Sequence, residues 1–132
     1  MSGIELRTAA DRFVTPTAWG RSSHCFSFAD HYDPANVSFG PLVAVNEELV
    51  PPGAGFEMHD HRDVEIVTWV VEGALEHEDS DGRRGVLRPG DVQRMSAGAG
   101  VEHAERAASD VPVRFVQSWL RPEQPGGEPG YA

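Results

Sequence analysis

An all-β fold, a sandwich or barrel of many short strands, is what this sequence of 132 residues predicts. Apolar and polar residues alternate at period two in runs separated by turn residues, and no stretch holds a helical period long enough to build a core. The 14 Gly and 10 Pro favour short elements joined by many turns. The length suits one domain around one core.

The elements follow in order. Residues 23–29 (SHCFSFA) form a strand, ended by the turn-rich DHYDPAN. Leu42–Val50 is the next, stopped by Pro51, Pro52 and Gly53. Residues 56–61 and 65–71 come after it, the second notably β-branched and aromatic. Glu72-Gly73 breaks the run and 74–78 resumes it. Ser80-Asp81-Gly82 and Arg88-Pro89-Gly90-Asp91 are turns. Residues 92–95 lead into the small-residue segment SAGAG, and 101–106 and Val113–Leu120 are the last strands. The domain is expected over 1–120. Half of residues 121–132 (RPEQPGGEPGYA) are Pro or Gly, so a tail carrying neither ladder nor helix is expected there.

Composition removes several function classes. The lone Cys25 excludes an internal disulfide and reads as a small buried hydrophobe rather than a nucleophile. A net charge of -10 disfavours a broad grip on phosphate backbones, so no direct nucleic-acid partner is expected. No apolar run reaches the length of a membrane span, and the N-terminal MSGIELRTAADRF lacks the basic-then-apolar pattern of a signal peptide. A cytoplasmic protein without a membrane partner is expected.

Chemistry concentrates in two stretches, GAGFEMHDHRDVEIVTWVVEG and MSAGAGVEHAE. His59 and His61 are two apart, as are His103 and Glu105. On a strand, residues i and i+2 share a face, so two such pairs on neighbouring strands can aim three imidazoles and a carboxylate at one point. That donor set suits iron, manganese, nickel, copper or zinc, and in an octahedral field it leaves two adjacent positions for substrate and dioxygen. Counting by strand parity, Glu65 competes with Glu105 as the carboxylate, and one of them can orient a ligand imidazole instead. His24, His31 and His77 lack a partner at ligand spacing and read as turn or surface residues. Glu76, Glu78 and Asp79 read as a solvated face. Gly98 and Gly100 are expected to give positive φ and to keep side chains off the metal.

These residues also resemble a known family. GxxxxxHxH (Gly53, His59, His61) followed by Glu65 resembles the first motif of the cupin superfamily, and RPGDVQRMSAGAGVEHAE resembles the second motif as it stands in pirins. WGRSSHCFSFADHYDP upstream, HDHRDVEIVTWVVEGALEHEDS and the final PGY are also similar to pirins. Met58 and Asp60 depart from the pattern, standing beside His59 where pirins often carry prolines, which alters the mouth of the site.

The resemblance implies a single double-stranded β-helix (a cupin barrel of jelly-roll type) with one metal inside, Fe(II) being the usual ion. It implies ligands at His59, His61, His103 and Glu105, and leaves Glu65 behind them. The function it implies is a quercetin 2,3-dioxygenase-like opening of a flavonol or similar aromatic; in such a reaction Glu105 is expected to act as the catalytic base, since a carboxylate near the metal can accept a substrate hydroxyl's proton. The alternative is a metal-binding regulatory module that contacts a protein partner without turnover. Pirins carry a second cupin domain that this chain does not reach, and a homodimer is expected to take its place.

Overall fold

The structure, a computed structural model, describes residues 3–132. Met1 and Ser2, where the expected domain begins, lie outside the described residues. Eleven strands form two facing antiparallel sheets, the double-stranded β-helix arrangement, and the only helical element among the described residues is one 3-10 turn at Ala9–Asp11. The strands are β1 (Phe13–Pro16), β2 (Arg21–His24), β3 (Leu42–Val50), β4 (Gly55–His61), β5 (Glu65–Glu72), β6 (Leu75–Asp79), β7 (Arg84–Leu87), β8 (Val92–Ser96), β9 (Val101–Ala107), β10 (Val113–Leu120) and β11 (Gly130–Tyr131). The larger sheet has the order β1-β2-β3-β10-β5-β8-β11, and the smaller β4-β9-β6-β7. No helix of the described residues is long and apolar enough to cross a membrane.

The period-two pattern translates directly into inner and outer faces. β3 buries Ala44, Asn46, Glu48 and Val50, and β10 buries Val113, Phe115 and Gln117. One apolar cluster, made of Val50, Val70, Leu75, Val113 and Phe115, fills one end of the space between the sheets. A second, of Ile66, Met95, Ala97 and Val101, fills the other. At about 1.5–3 kcal/mol for each fully buried large aliphatic or aromatic side chain, these clusters supply most of the drive to close the sheets.

Three expectations change. The predicted strand over 23–29 sits earlier, at β2, because Ser27, Asp33 and Asn36 tie residues 27–36 into a hydrogen-bonded loop. β1 and β7 were absent from the pattern. Each is four residues long and lies at the outer end of its sheet, where a strand needs no strict apolar alternation. Within the segment expected to carry no ladder, Gly130–Tyr131 pairs with β8, Gly130 opposite Ser96 and Tyr131 opposite Met95. Ala132 and Arg94 extend that pairing through two backbone bonds of 2.8 and 3.0 Å. A sheet edge needs only main-chain donors and acceptors from its partner, so composition did not forbid it.

Candidate metal centre

β4 and β9 lie side by side with His59 opposite His103 and Phe56 opposite Glu105. Three steps along β4 match two along β9 between those pairs, which is a β-bulge. The bulge brings Phe56 and His59 to the same face despite their odd spacing. Gly55 lets β4 approach this closely, since a Cβ there would run into the backbone of Glu105 and Arg106.

The three predicted imidazoles converge. Ring centroids are 4.8 Å apart for His59 and His61, 4.5 Å for His59 and His103, and 4.8 Å for His61 and His103. One ligand atom from each lies within 4.8 Å of the others, close enough to share a metal ion. Glu105 sits behind this triangle, with Oε1 3.7 Å from His103 Nε2, and belongs to a second close group with His77 and His103. The four predicted ligands are thus neighbours, with His103 as the residue common to both groups.

Tautomers and protonation suit a cation. His59 Nδ1 lies 2.6 Å from the Glu57 carbonyl, so Nδ1–H donates there and Nε2 keeps its lone pair. His61 Nε2 and His103 Nε2 are buried without a hydrogen-bond partner, which is costly unless something else binds them. Burial, and then the other imidazoles, push His61 down to about 4 and His103 further still, so both are neutral donors. His103 and Glu105 are therefore not an ion pair in the absence of metal. Burial raises the Glu105 carboxyl to about 7, against the lowering effect of its Gln117 hydrogen bonds. A divalent cation beside it acts in the opposite direction and favours the carboxylate. Three converging imidazoles and a buried carboxyl fit a first-row divalent metal.

Gln117, which motif spacing did not single out, fixes Glu105. Its Nε2 donates to both carboxyl oxygens at 3.1 Å and to Thr68 Oγ1 at 3.1 Å. Trp119 Nε1 donates to Gln117 Oε1 at 3.0 Å, which sets the amide so that its NH2 must face Glu105. The available signal was Gln117 interrupting the apolar alternation Val113, Phe115, Trp119. A cavity of about 180 Å³ opens before the triangle, lined by His59, His61 and Glu105 of the smaller sheet on one side and by Ser22, Asn46, Glu48 and Gln117 of the larger sheet on the other. Phe28, Phe56 and Trp119 supply its apolar walls.

Several other expectations are corrected. Glu65 lies on the outer face of β5, where it accepts a 2.6 Å bond from Ser96 Oγ; strand parity with His59 was lost at the turn over 62–64, where Asp63 has φ 50°. His77 is buried, with Nδ1 3.5 Å from His103 Nδ1 and its ring against Tyr131. His24 is buried too, donating from Nδ1 to Asn46 Oδ1 at 2.8 Å. Asp79 is inside rather than on a solvated face, accepting bonds from the Asp81 and Arg83 amides. Cys25 is only half-buried. Gly98 and Gly100 have the expected positive φ, 51° and 142°, but a Cβ at Gly98 would meet Gly127 O at 2.5 Å rather than the metal cluster.

Comparison with known proteins is consistent with this geometry. The Pirin family model matches residues 6–120. Rv0181c of Mycobacterium tuberculosis (strain ATCC 25618 / H37Rv), provisionally named a quercetin 2,3-dioxygenase, is 53% identical over 124 residues, covering 93% of this chain and 51% of its own. The quercetin 2,3-dioxygenase of Escherichia coli (strain K12) is 40% identical over 129 residues, covering 97% of this chain and 56% of its own. The crystal structure of the bacterial pirin YhhW from Escherichia coli in complex with nickel(II) superposes with a TM-score of 0.92 at 38% identity, over 96% of this chain and 55% of that one. The chain spans about half the length of the relatives it matches.

Proposed function

The chain belongs to the pirin family, and from that premise we propose that it is a metal-dependent dioxygenase that opens a flavonol or a related oxygenated aromatic ring. The observation that carries this reading is the triangle of His59, His61 and His103, with the buried Nε2 atoms of His61 and His103 unpartnered, beside the buried carboxyl of Glu105 and open to a cavity. A relative is named quercetin 2,3-dioxygenase, and a solved bacterial pirin structure holds nickel(II).

In this reading His59, His61, His103 and Glu105 hold one divalent ion, iron in our proposal, with manganese, nickel, copper and zinc able to enter the same donor set. When bound, the ion supplies Lewis acidity and a route for electrons to dioxygen. Glu105 Oε accepts the proton of a substrate hydroxyl, as a carboxylate within hydrogen-bond reach can. Gln117 keeps both Glu105 oxygens aimed. Phe28, Phe56 and Trp119 hold the flat ring and keep water away from it.

The test is anaerobic iron reconstitution followed by quercetin turnover, scored by flavonol loss and carbon monoxide release. Turnover that depends on metal and disappears in His59→Ala supports the proposal. Glu105→Gln should retain metal while turnover drops about 100-fold or more, the usual scale for losing a general base. Undiminished turnover in that variant removes Glu105 from the role of base.

A second reading, a metal-binding module that docks a protein, is favoured by one surface. Trp69 and Val92 are cross-strand partners on the outer face of the larger sheet, 47% and 60% exposed. A second copy of the chain covering that pair gives the homodimer we propose for solution. Sedimentation equilibrium that finds only monomer, together with metal binding and no flavonol turnover, shifts the weight to a different protein partner.

A further inference from the structure

The inner face of β3 runs Ala44, Asn46, Glu48, Val50, and Glu48 is the anomaly in it. It is 4% exposed, and among the described residues no Arg pairs with it, Arg12 and Arg114 reaching its neighbour Glu47 instead. Its one side-chain hydrogen bond comes from Ser22 Oγ, which donates to Oε2. A buried, unpaired carboxylate costs several kcal/mol, so the group is either neutral or has a task that repays the cost. Glu48 lines the same cavity as His59, His61 and Glu105, on the opposite wall. Its neighbour Asn46 is already engaged by His24.

The two cavity carboxyls differ in what their oxygens meet. Glu105 receives Gln117 on both oxygens, as suits an anion. Glu48 receives one hydroxyl on Oε2, which leaves Oε1 free to carry a proton and to donate it as a hydrogen bond. In the metal-free protein burial raises Glu48 to about 7, against the lowering effect of Ser22 and with a smaller raising effect of Glu105, in keeping with a carboxyl that has no cation and one hydroxyl beside it. The cavity's volume of about 180 Å³ is below the 300–1,000 Å³ usual for drug-sized ligands, so it takes one ring edge at a time.

We propose that Glu48 is a substrate-contacting residue: its protonated carboxyl donates a hydrogen bond to a ring carbonyl oxygen adjacent to the hydroxyl that faces the histidines and Glu105. The selected substrate class is therefore a planar ring carrying a hydroxyl next to a carbonyl, in preference to a ring with two hydroxyls. No bond is made or broken at Glu48; its proton stays on Oε1 and polarises the carbonyl. The inference rests on the proposed role of the site, but its test does not use turnover.

The experiment measures binding of two single-ring probes, maltol (a hydroxypyranone) and catechol, to the zinc-loaded protein by calorimetry, with metal content checked before and after. Glu48→Ala should weaken maltol about tenfold or more and catechol by less than about threefold, the scale of losing one buried hydrogen bond that discriminates between ligands. Glu48→Gln, whose NH2 still donates, should restore maltol to within about threefold of the unsubstituted protein, as a retained hydrogen bond predicts. If Glu48→Ala proves unstable, Glu48→Asp replaces it and must show the same selective loss. Equal effects on both probes, or no effect, overturn the proposal. Failure of Glu48→Gln to rescue overturns the donor role. Selective maltol binding without quercetin cleavage leaves the Glu48 assignment standing and refutes the dioxygenase reading alone.

Discussion

The same strands build two unlike regions: the apolar clusters at either end of the barrel, and a polar layer between them. β9 gives Val101 to one cluster, His103 and Glu105 to the layer, and Ala107 to the edge of the other cluster. β5 runs Ile66, Thr68, Val70, and β10 runs Trp119, Gln117, Phe115 in the same sense. Register aligns the polar members, with Gln117 opposite both Asn46 and Thr68, and Glu105 opposite both Phe56 and His77. The clusters are self-sufficient, since burial alone stabilises them. The layer leaves His61, His77 and His103 nitrogens unpartnered, so it is incomplete without a ligand. The difference teaches that stability and function are divided by level along the barrel axis, not by sheet.

Phe115→Ala should strike the first region hardest, costing about 3–5 kcal/mol in urea unfolding, because a fully buried ring leaves a cavity. Any protein that still folds should bind metal as before. A loss of metal affinity in folded Phe115→Ala would break the division between the regions.

The polar layer should show itself in pH dependence. For metal-free protein, the folded pKa of Glu48 lies near 7, above its ordinary 4.5. Between those values the folded state holds the proton more tightly than the unfolded state. The contribution of Glu48 is therefore fully present below about pH 4.5 and lost as pH rises through 7. Relative to Glu48→Gln, the unsubstituted protein should lose up to about 3 kcal/mol between pH 4.5 and 8. A constant difference across that range would mean the carboxyl is not held neutral.

Metal addition sharpens the contrast further. At about 100 times its dissociation constant, zinc or nickel should stabilise the fold by about 2.7 kcal/mol. His103→Ala should remove that gain, since it takes a donor from the histidine triangle. The smallest effect belongs outside the barrel. Glu65→Gln exchanges a hydrogen bond with Ser96 on the outer face and should cost about 0.5–1.5 kcal/mol with metal affinity unchanged. A changed affinity would place Glu65 back in the site.

The chain alone determined the all-β class and the convergence of its three histidines, because the strand period of two is local and needs no knowledge of neighbours. His59 with His61, and His103 with Glu105, were legible for that reason. Tertiary structure decided everything that depends on which strand lies opposite which. Glu65 left the site because a left-handed residue at Asp63 resets the strand, and Phe56 joined it through a bulge. Gln117, Glu48 and His77 became parts of the cavity and its support only when β10, β3 and β6 closed around β9. Their own strands mark them as inward-facing polar residues, but what an inward face meets is fixed by sheet pairing across the barrel, which the sequence does not encode at any local spacing.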